Sequence, residues 1–303
     1  MIIESSAPVR IDFAGAWTDV KYFAHPFGGA TTNAAINSYV TGCTLVGEHE
    51  RPSGERAPEG ISVTYETDIP AGSGLGTSSA LNVVWLSLAS GKTIGDDAQR
   101  GQIAEQAYEV ETVLGILGGK QDQYAAAFGG FNLFEFEESG VQVTRIAIQP
   151  DAISQLESLM TLCYTGQARL SSNLHENVWG GFRAGKRHVV DSLFTLRDSA
   201  YRAKDILESG NFENFGELLN LQHQCAKNLD ASLSNDLVEG LFDLAREESV
   251  GGKCCGAGGG GCMIFLSDSP EKRARLQEKL RAQNIRVIDF QFAQQGLTVS
   301  MRD

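Results

Sequence analysis

The sequence predicts a two-domain α+β protein, and three observations carry that expectation. The chain has 303 residues, about twice the usual ~150-residue domain. Its first half alternates strand-like and helix-like segments, whereas the part after Pro150 turns to long amphipathic helices. It then ends in a glycine run, a strand, a charged helix and two further strands, an α+β arrangement. The expected units are therefore residues 1–155 and 156–303. A hydrophobic content of 42% is enough for an ordinary core.

The elements follow in order. In "ISVTYE", Ile61, Val63 and Tyr65 alternate on one face, as a half-buried strand requires. After the stretch "PAGSGLGTSSA" a helix runs to about Ala89 and closes at Gly91. A second helix starts at Asp96, a good N-cap, and reaches Leu114 with Ile103, Ala107, Val110 and Leu114 as its apolar stripe. "GILGGKQDQYAAAFGGFNLFEF" gives a glycine turn, a short Ala-rich helix and a strand. Beyond Pro150, helices are expected over Arg187–Glu208, Phe212–Leu233, Asn235–Glu248 and Pro270–Gln283. The run "GGKCCGAGGGGCMIFL" leads into a strand, and "IRVIDFQF" and "LTVSMR" supply the last two. No internal repeat is present.

Charge narrows the function. A net charge of −13 argues against nucleic acid and acidic membranes as partners, since both need clustered cations. It leaves a phosphorylated small molecule open, because a nest of backbone N–H groups binds phosphate on an acidic protein. "MIIESSAPVR" lacks the basic-then-apolar pattern of a signal peptide, and no apolar run approaches the ~20 residues of a membrane span. A soluble, cytoplasmic protein is expected. Cys43, Cys163, Cys225, Cys254, Cys255 and Cys262 form no C-x-x-C pair and read as structural thiols. The five histidines form no metal-binding motif.

The stretch Pro70–Ala80 asks for a phosphate. It is not a P-loop: for "GKT" at Gly91–Thr93 the earlier glycine falls on Leu86, inside a helix. Nor is it a dinucleotide fingerprint, because after Gly72 and Gly74 the third glycine falls on Thr77. Gly256, Gly258 and Gly261 fit that spacing, but a strand follows them where a helix is needed. What remains is a glycine turn at a helix start, whose first-turn N–H groups and helix dipole suit an anion. From the residues alone, Pro70, Gly72, Ser73, Gly74, Leu75, Gly76, Thr77, Ser78 and Ser79 form either a phosphate-binding loop or no more than a tight turn. Ser78 or Ser79 would cap the helix or offer a hydroxyl to phosphate or Mg²⁺.

Pro70–Ala80 resembles the ATP-binding signature of the GHMP kinases (galactokinase, homoserine kinase, mevalonate kinase, phosphomevalonate kinase). "APVRIDFAGAWTD" (Ala7–Asp19) resembles the first motif of that family, and "KCCGAGGGGCMIF" (Lys253–Phe265) its third. The resemblance spans nearly the whole chain. It implies an N-terminal domain folded like a ribosomal-protein domain, with a left-handed βαβ crossover, a ferredoxin-like C-terminal domain, and a site between them using ATP and Mg²⁺.

The resemblance also implies residue roles. Asp122, in "GGKQDQ", matches the aspartate beside the attacking hydroxyl, and Arg10 the cation paired with it. Glu111 and Ser78 match the Mg²⁺ ligands. Asp19 matches a carboxylate that binds sugar hydroxyls, with Thr18, Lys120, Gly258, Gly259 and Arg169 as further substrate contacts. Gln123 would support Asp122, and His175 would lie on a substrate loop. Gly15-Ala16-Trp17-Thr18-Asp19 departs from the Gly-Glu-His-Thr-Asp form of galactokinase and from the Glu-His of mevalonate kinases. The chain is therefore more similar to the heptose-7-phosphate and fucose kinases, which implies a sugar or sugar-phosphate acceptor, phosphorylated at C1. A phosphorylated acceptor needs a second anion site, for which Lys120, Arg169, Arg183 and Lys186 are available. A non-catalytic ATP/sugar sensor on the same fold, or a galactokinase- or mevalonate-type kinase, would share parts of this pattern.

Overall fold

The computed structural model describes residues 2–50, 56–70, 72–91, 93–167 and 172–302. It is built on two antiparallel sheets. The first has six strands: β1 (Ile2–Ala14), β2 (Gly29–Glu50), β3 (Arg56–Glu66), β4 (Phe131–Glu137), β5 (Gly140–Arg145) and β10 (Thr298–Arg302). Their order is β10-β1-β2-β4-β5, with β3 also on β2. β2 makes this possible through its 22 residues. Its first part pairs with β4, from Gly29↔Phe136 to Ala34↔Phe131. Its later part pairs with β3, from Thr41↔Glu66 onward, while β1 lies along its other edge.

One face of this sheet carries α2 (Thr77–Ser90) and α4 (Gln121–Phe128), with α3 (Asp97–Val113) packed against both. α7 (Arg187–Ser209) and α8 (Phe215–Leu229) cross from the second half of the chain to pack on β1 and β2. α1 (Lys21–Phe27) bridges β1 and β2.

The second sheet contains β6 (Met160–Tyr164), β7 (Gly251–Cys254), β8 (Cys262–Leu266) and β9 (Arg286–Ile288), in the order β7-β8-β6-β9. The chain's first strand in this sheet thus lies between its third and fourth, which is the order of a ferredoxin-like sheet. Cys163, Cys254, Met263 and Phe265 pack under α9 (Asp236–Ala245) and α10 (Pro270–Ala282). Leu162, Cys255, Cys262 and Ile264 face the other way and share one apolar core with Ile11, Phe13 and Phe215. Because that core runs through both sheets, their relative placement is fixed by close packing.

Several expected boundaries stand. Gly91 closes α2 in the left-handed conformation at φ 58°. The Asp96 carboxylate accepts from Gln99 N–H at the start of α3, and Asn235 does the same for Val238 before α9. The expected Phe212–Leu233 helix is shorter. α8 stops at Leu229, and a 3₁₀ turn over Ala231–Leu233 is capped by Asp230. Asn235–Glu248 shortens to α9 in the same way. α5 (Pro150–Leu159) and α6 (Ser172–Arg183) were not expected. The chain crosses the expected division at residue 155 more than once: α7 and α8 pack on the first sheet, and β10 returns to pair with β1, from Ile2↔Arg302 to Ser6↔Thr298. That pairing covers the edge of β1, whose N–H and C=O groups would otherwise face solvent.

Candidate active site

Arg10 lies in the middle of β1, where strand pairing fixes its backbone and packing buries its side chain. Its guanidinium Nε donates to Asp122 Oδ1 at 2.8 Å, and Nη2 lies 2.7 Å from the same oxygen. Nη1 donates to the carbonyls of Gly74 at 2.6 Å and Cys255 at 3.0 Å. One side chain thus joins α4, the first glycine loop and the second glycine loop. Burial opposes its charge, but the Asp122 and Asp12 carboxylates outweigh this and hold its pKa above the ordinary value.

Asp122 is in the first turn of α4, and its side chain keeps about a quarter of its surface open. Gly76, at the N-cap of α2 with φ 79°, packs against it. A Cβ at Gly76 would sit 3.2 Å from Asp122 Cγ, so only glycine allows both this backbone angle and this approach. The first turn of α2 therefore opens beside the Asp122 carboxylate, with its N–H groups free of a side-chain cap. Such a helix start holds an anion.

Asp19 follows the turn after β1. Its Oδ2 accepts from Gln121 N–H at 3.0 Å, which places it one residue from Asp122 in the α4 start. Burial, with Asp122 and Asp12 nearby, pushes its carboxyl up to about 7 against the pull of the Gln121 N–H. Gly119 makes this packing possible, because a Cβ there would overlap the Asp19 carboxylate. Thr18 is fully buried, and its hydroxyl bonds Gly15 and Ala30 backbone atoms. It shapes the turn and presents no free hydroxyl. Trp17 is held at φ 79°, a rare angle for a bulky residue, with its ring 4.6 Å from the His175 ring. Burial pushes His175 down to about 4, so it is neutral at neutral pH.

Glu111, at the end of α3, is buried. Its Oε1 accepts from Ser79 Oγ at 2.8 Å and Asn82 Nδ2 at 3.1 Å, and its Oε2 from Gln123 Nε2 at 2.9 Å. Ser79 and not Ser78 makes this contact. Helix geometry is the reason: Ser79 and Asn82 are three residues apart on the inner face of α2, while Ser78 is exposed. Burial raises the Glu111 pKa, with Asp122 adding to the rise against the three donors. Among the described residues no cation pairs with it, and a buried carboxylate satisfied only by neutral donors fits a divalent cation beside it.

The remaining expected residues divide. Gly72, Ser73, Gly74 and Leu75 form the loop between Pro70 and α2, and Thr77 lies 3.3 Å from Ser73 through their hydroxyls. Gly258 and Gly259 sit on the second loop, where Gly259 N–H donates to Leu233 C=O at 2.7 Å. Lys120 turns to Glu105, at 2.7 Å, and to the Tyr108 ring. Arg183 lies over the Tyr22 ring, and Lys186 is the N-cap of α7. Arg169 lies outside the described residues.

Three residues packed into this site are not among the expected ones. Asp12 and Lys253 form a buried ion pair, and Gln222 accepts from Gly15 N–H at 3.0 Å. A signal for the pair existed: Arg10-Ile11-Asp12 puts two charges on one face of a strand that is otherwise apolar.

Comparison with known proteins now decides the family. Residues 38–130 match the GHMP kinases N terminal domain and residues 203–286 the GHMP kinases C terminal domain. The D-glycero-alpha-D-manno-heptose 7-phosphate kinase of Campylobacter jejuni is 30% identical, over 97% of this chain and 98% of that protein. The chain belongs to the GHMP kinase family. It is thus an ATP-dependent phosphotransferase of small molecules with an alcohol group as acceptor. The L-fucokinase/L-fucose-1-P guanylyltransferase of Bacteroides fragilis is 28% identical over 99% of this chain, which spans 38% of that protein. Among solved structures, a heptose 1-phosphate kinase of Bacteroides thetaiotaomicron superposes with a TM-score of 0.74 at 26% identity, covering 99% of each chain. Lactococcus lactis galactokinase shares the fold, with a TM-score of 0.67 at 17% identity. Both GHMP domains are therefore present, as the three motifs implied. Among the described residues no helix is long and apolar enough to cross a membrane.

Proposed function

We propose that this GHMP kinase transfers the γ-phosphate of ATP to the anomeric hydroxyl of a sugar or sugar phosphate of the heptose-7-phosphate or fucose type. The observation that carries this is the Arg10–Asp122 pair set at the N-terminus of α2, with the Asp19 carboxylate beside it. The Asp122 carboxylate, bonded by Arg10, would accept the proton of the attacking hydroxyl or orient that hydroxyl toward phosphorus. Arg10 is permanently charged and stabilises charge on the transferred group. Asp19, bonded to Gln121 N–H one residue from Asp122, would offer oxygens to a second sugar hydroxyl, which suits a polyol better than an isoprenoid acid. The α2 amides and the loop Gly72–Gly76 would hold the phosphates.

Glu111 would hold Mg²⁺, which neutralises phosphate charge when bound, with a hydroxyl of the α2 start beside it: Ser79, which faces Glu111, or the exposed Ser78 one residue before. The relatives named for heptose 7-phosphate and fucose support the acceptor class. A panel of sugars and sugar phosphates with Mg·ATP, scored by ADP release, tests the proposal. Phosphorus NMR of the product then locates the new phosphate. Phosphate on a hydroxyl other than the anomeric one removes the C1 assignment. ATP and sugar binding without any product from the panel would instead favour a sensor.

A further inference from the structure

Arg10 and Asp12 are two residues apart on β1, so their side chains share a face of the strand. Both are buried, and the Asp12 carboxylate acts on Arg10 alongside that of Asp122. Arg10 therefore feels two carboxylates, Asp122, which it bonds, and Asp12, which it does not. Asp12 is 0% exposed and its Oδ1 has no hydrogen-bond partner. Asn33, opposite it on β2, does not restrain it, since both polar atoms of that side chain are also unpartnered. The partner that holds Asp12 is Lys253, 4% exposed, which bonds Asp12 Oδ2 and donates to the Asp12 carbonyl at 2.8 Å.

Lys253 comes from β7, in the other sheet, two residues before the Cys255 carbonyl that accepts from Arg10. β1 and β7 are thus stitched twice, from Arg10 to Cys255 and from Lys253 to Asp12. Without the ammonium, the buried Asp12 carboxylate would be left to the Arg10 guanidinium, on the same face of β1, whose charge it already acts on. An uncompensated buried charge draws strongly on any counter-ion it can reach. Lys253 also lines a cavity of about 20 Å³ with Trp17, Gln222, His223 and Gly256. That is room for about one water on the third ammonium donor.

The geometry points to Lys253 as a positioning residue for phosphoryl transfer. By occupying Asp12 it leaves Arg10 directed at Asp122. This rests on Arg10 and Asp122 being the catalytic pair, and a double-mutant cycle separates the two ideas. The variants are Lys253→Met, Arg10→Met and both together, assayed by ADP release with Mg·ATP and the best acceptor of the panel above. Rates are taken per folded enzyme, well below each melting temperature. Lys253→Met alone should lower kcat about tenfold or more with KM for ATP changed less than about threefold, since the damage is to alignment. In the Arg10→Met background it should cost nothing further, and adding Asp12→Asn to Lys253→Met should restore kcat to within about threefold of the parent.

Losses that multiply in the two backgrounds would show a general structural role and overturn the inference. So would a Lys253→Met enzyme with parental kcat, or an Asp12→Asn/Lys253→Met enzyme no faster than Lys253→Met. If Lys253→Met does not fold, Lys253→Gln takes its place under the same outcomes, because it keeps an N–H donor and removes only the charge. An Arg10→Met enzyme with parental kcat would instead refute the catalytic assignment itself.

Discussion

The carboxyl of Asp19 makes a quantitative prediction, since its pKa rises from an ordinary 3.8 to about 7 in the folded protein. Burial is the main cause, with the Asp122 and Asp12 carboxylates adding to it. The unfolded chain releases this proton near pH 4, while the folded chain keeps it until about pH 7. Between those values the folded state binds more protons, so stability must fall as pH rises. The contribution is complete below about pH 4, declines by about 1.4 kcal/mol per pH unit, and is lost above about pH 7. The full span is about 4 kcal/mol, a large part of the 5–15 kcal/mol typical of a domain.

Asp19→Asn removes the titration and keeps an oxygen to accept from Gln121 N–H. Urea unfolding of parent and variant without substrate, from about pH 5 to pH 8, isolates the term, because other titrations cancel in the difference. The variant should gain about 3 kcal/mol on the parent across that range, levelling off above about pH 7. A difference constant to about 0.5 kcal/mol, or one of opposite sign, would refute the raised pKa and the desolvated setting assigned to this carboxyl.

Three further substitutions probe the same site. Asp122→Asn should lower kcat by about two to four orders of magnitude with the fold intact, and near-parental turnover in the coupled assay would remove its role as base. Gly76→Ala adds a Cβ 3.2 Å from Asp122 Cγ at φ 79°. It should cost about 1 kcal/mol of stability and about tenfold or more in kcat, read from melting and initial rates; a melting loss without a rate loss would show that loop and carboxylate are not coupled. Glu111→Gln should leave stability within about 1 kcal/mol, because the unpartnered Gln123 Oε1 can turn to accept from the new amide. The same variant should need more Mg²⁺ for half-maximal rate, and an unchanged Mg²⁺ titration would exclude Glu111 as a metal-binding group.

Much of this site could be read in the sequence because its chemistry is local. Asp122, Gly119 and Gln121 share one turn, and Asp96 and Gly91 mark helix ends through bonds that span a few residues. The parts that escaped depend on distant pairing. The length of β2 is set by three partner strands, and nothing within Gly29–Glu50 shows where one partner gives way to the next. β10 reads as a strand, but its place beside β1 is decided by an open edge almost three hundred residues away in the chain. The exchange of Ser79 for Ser78 at Glu111 is a matter of helix phase. Adjacent residues on a helix point about 100° apart, so a one-residue difference separates a hydroxyl facing a buried carboxylate from one facing solvent. The Asp12–Lys253 pair spans both sheets, and charge alternation on β1 gave only half of it.

The two glycine runs also have a packing reason that is independent of any anion. A Cβ on Gly74 would lie 3.1 Å from Gly256 N, one on Gly256 would lie 2.8 Å from Gly74 Cα, and one on Gly261 would lie 2.6 Å from Ser73 O. Between them, Cys262 N–H donates to Ser73 C=O at 2.6 Å, and Arg10 reaches a carbonyl from each run. The runs lack side chains at these points because the loop before α2 and the loop between β7 and β8 pass within contact of each other. A phosphate cradle made by one loop alone would need glycine in that loop only. Here glycine is required on both sides, so substitutions at Gly256 or Gly261, on the loop away from the α2 start, should disturb nucleotide use through Gly74 and Ser73. The Arg10 guanidinium is held at the same junction, so any slip between the two loops would be felt at Asp122.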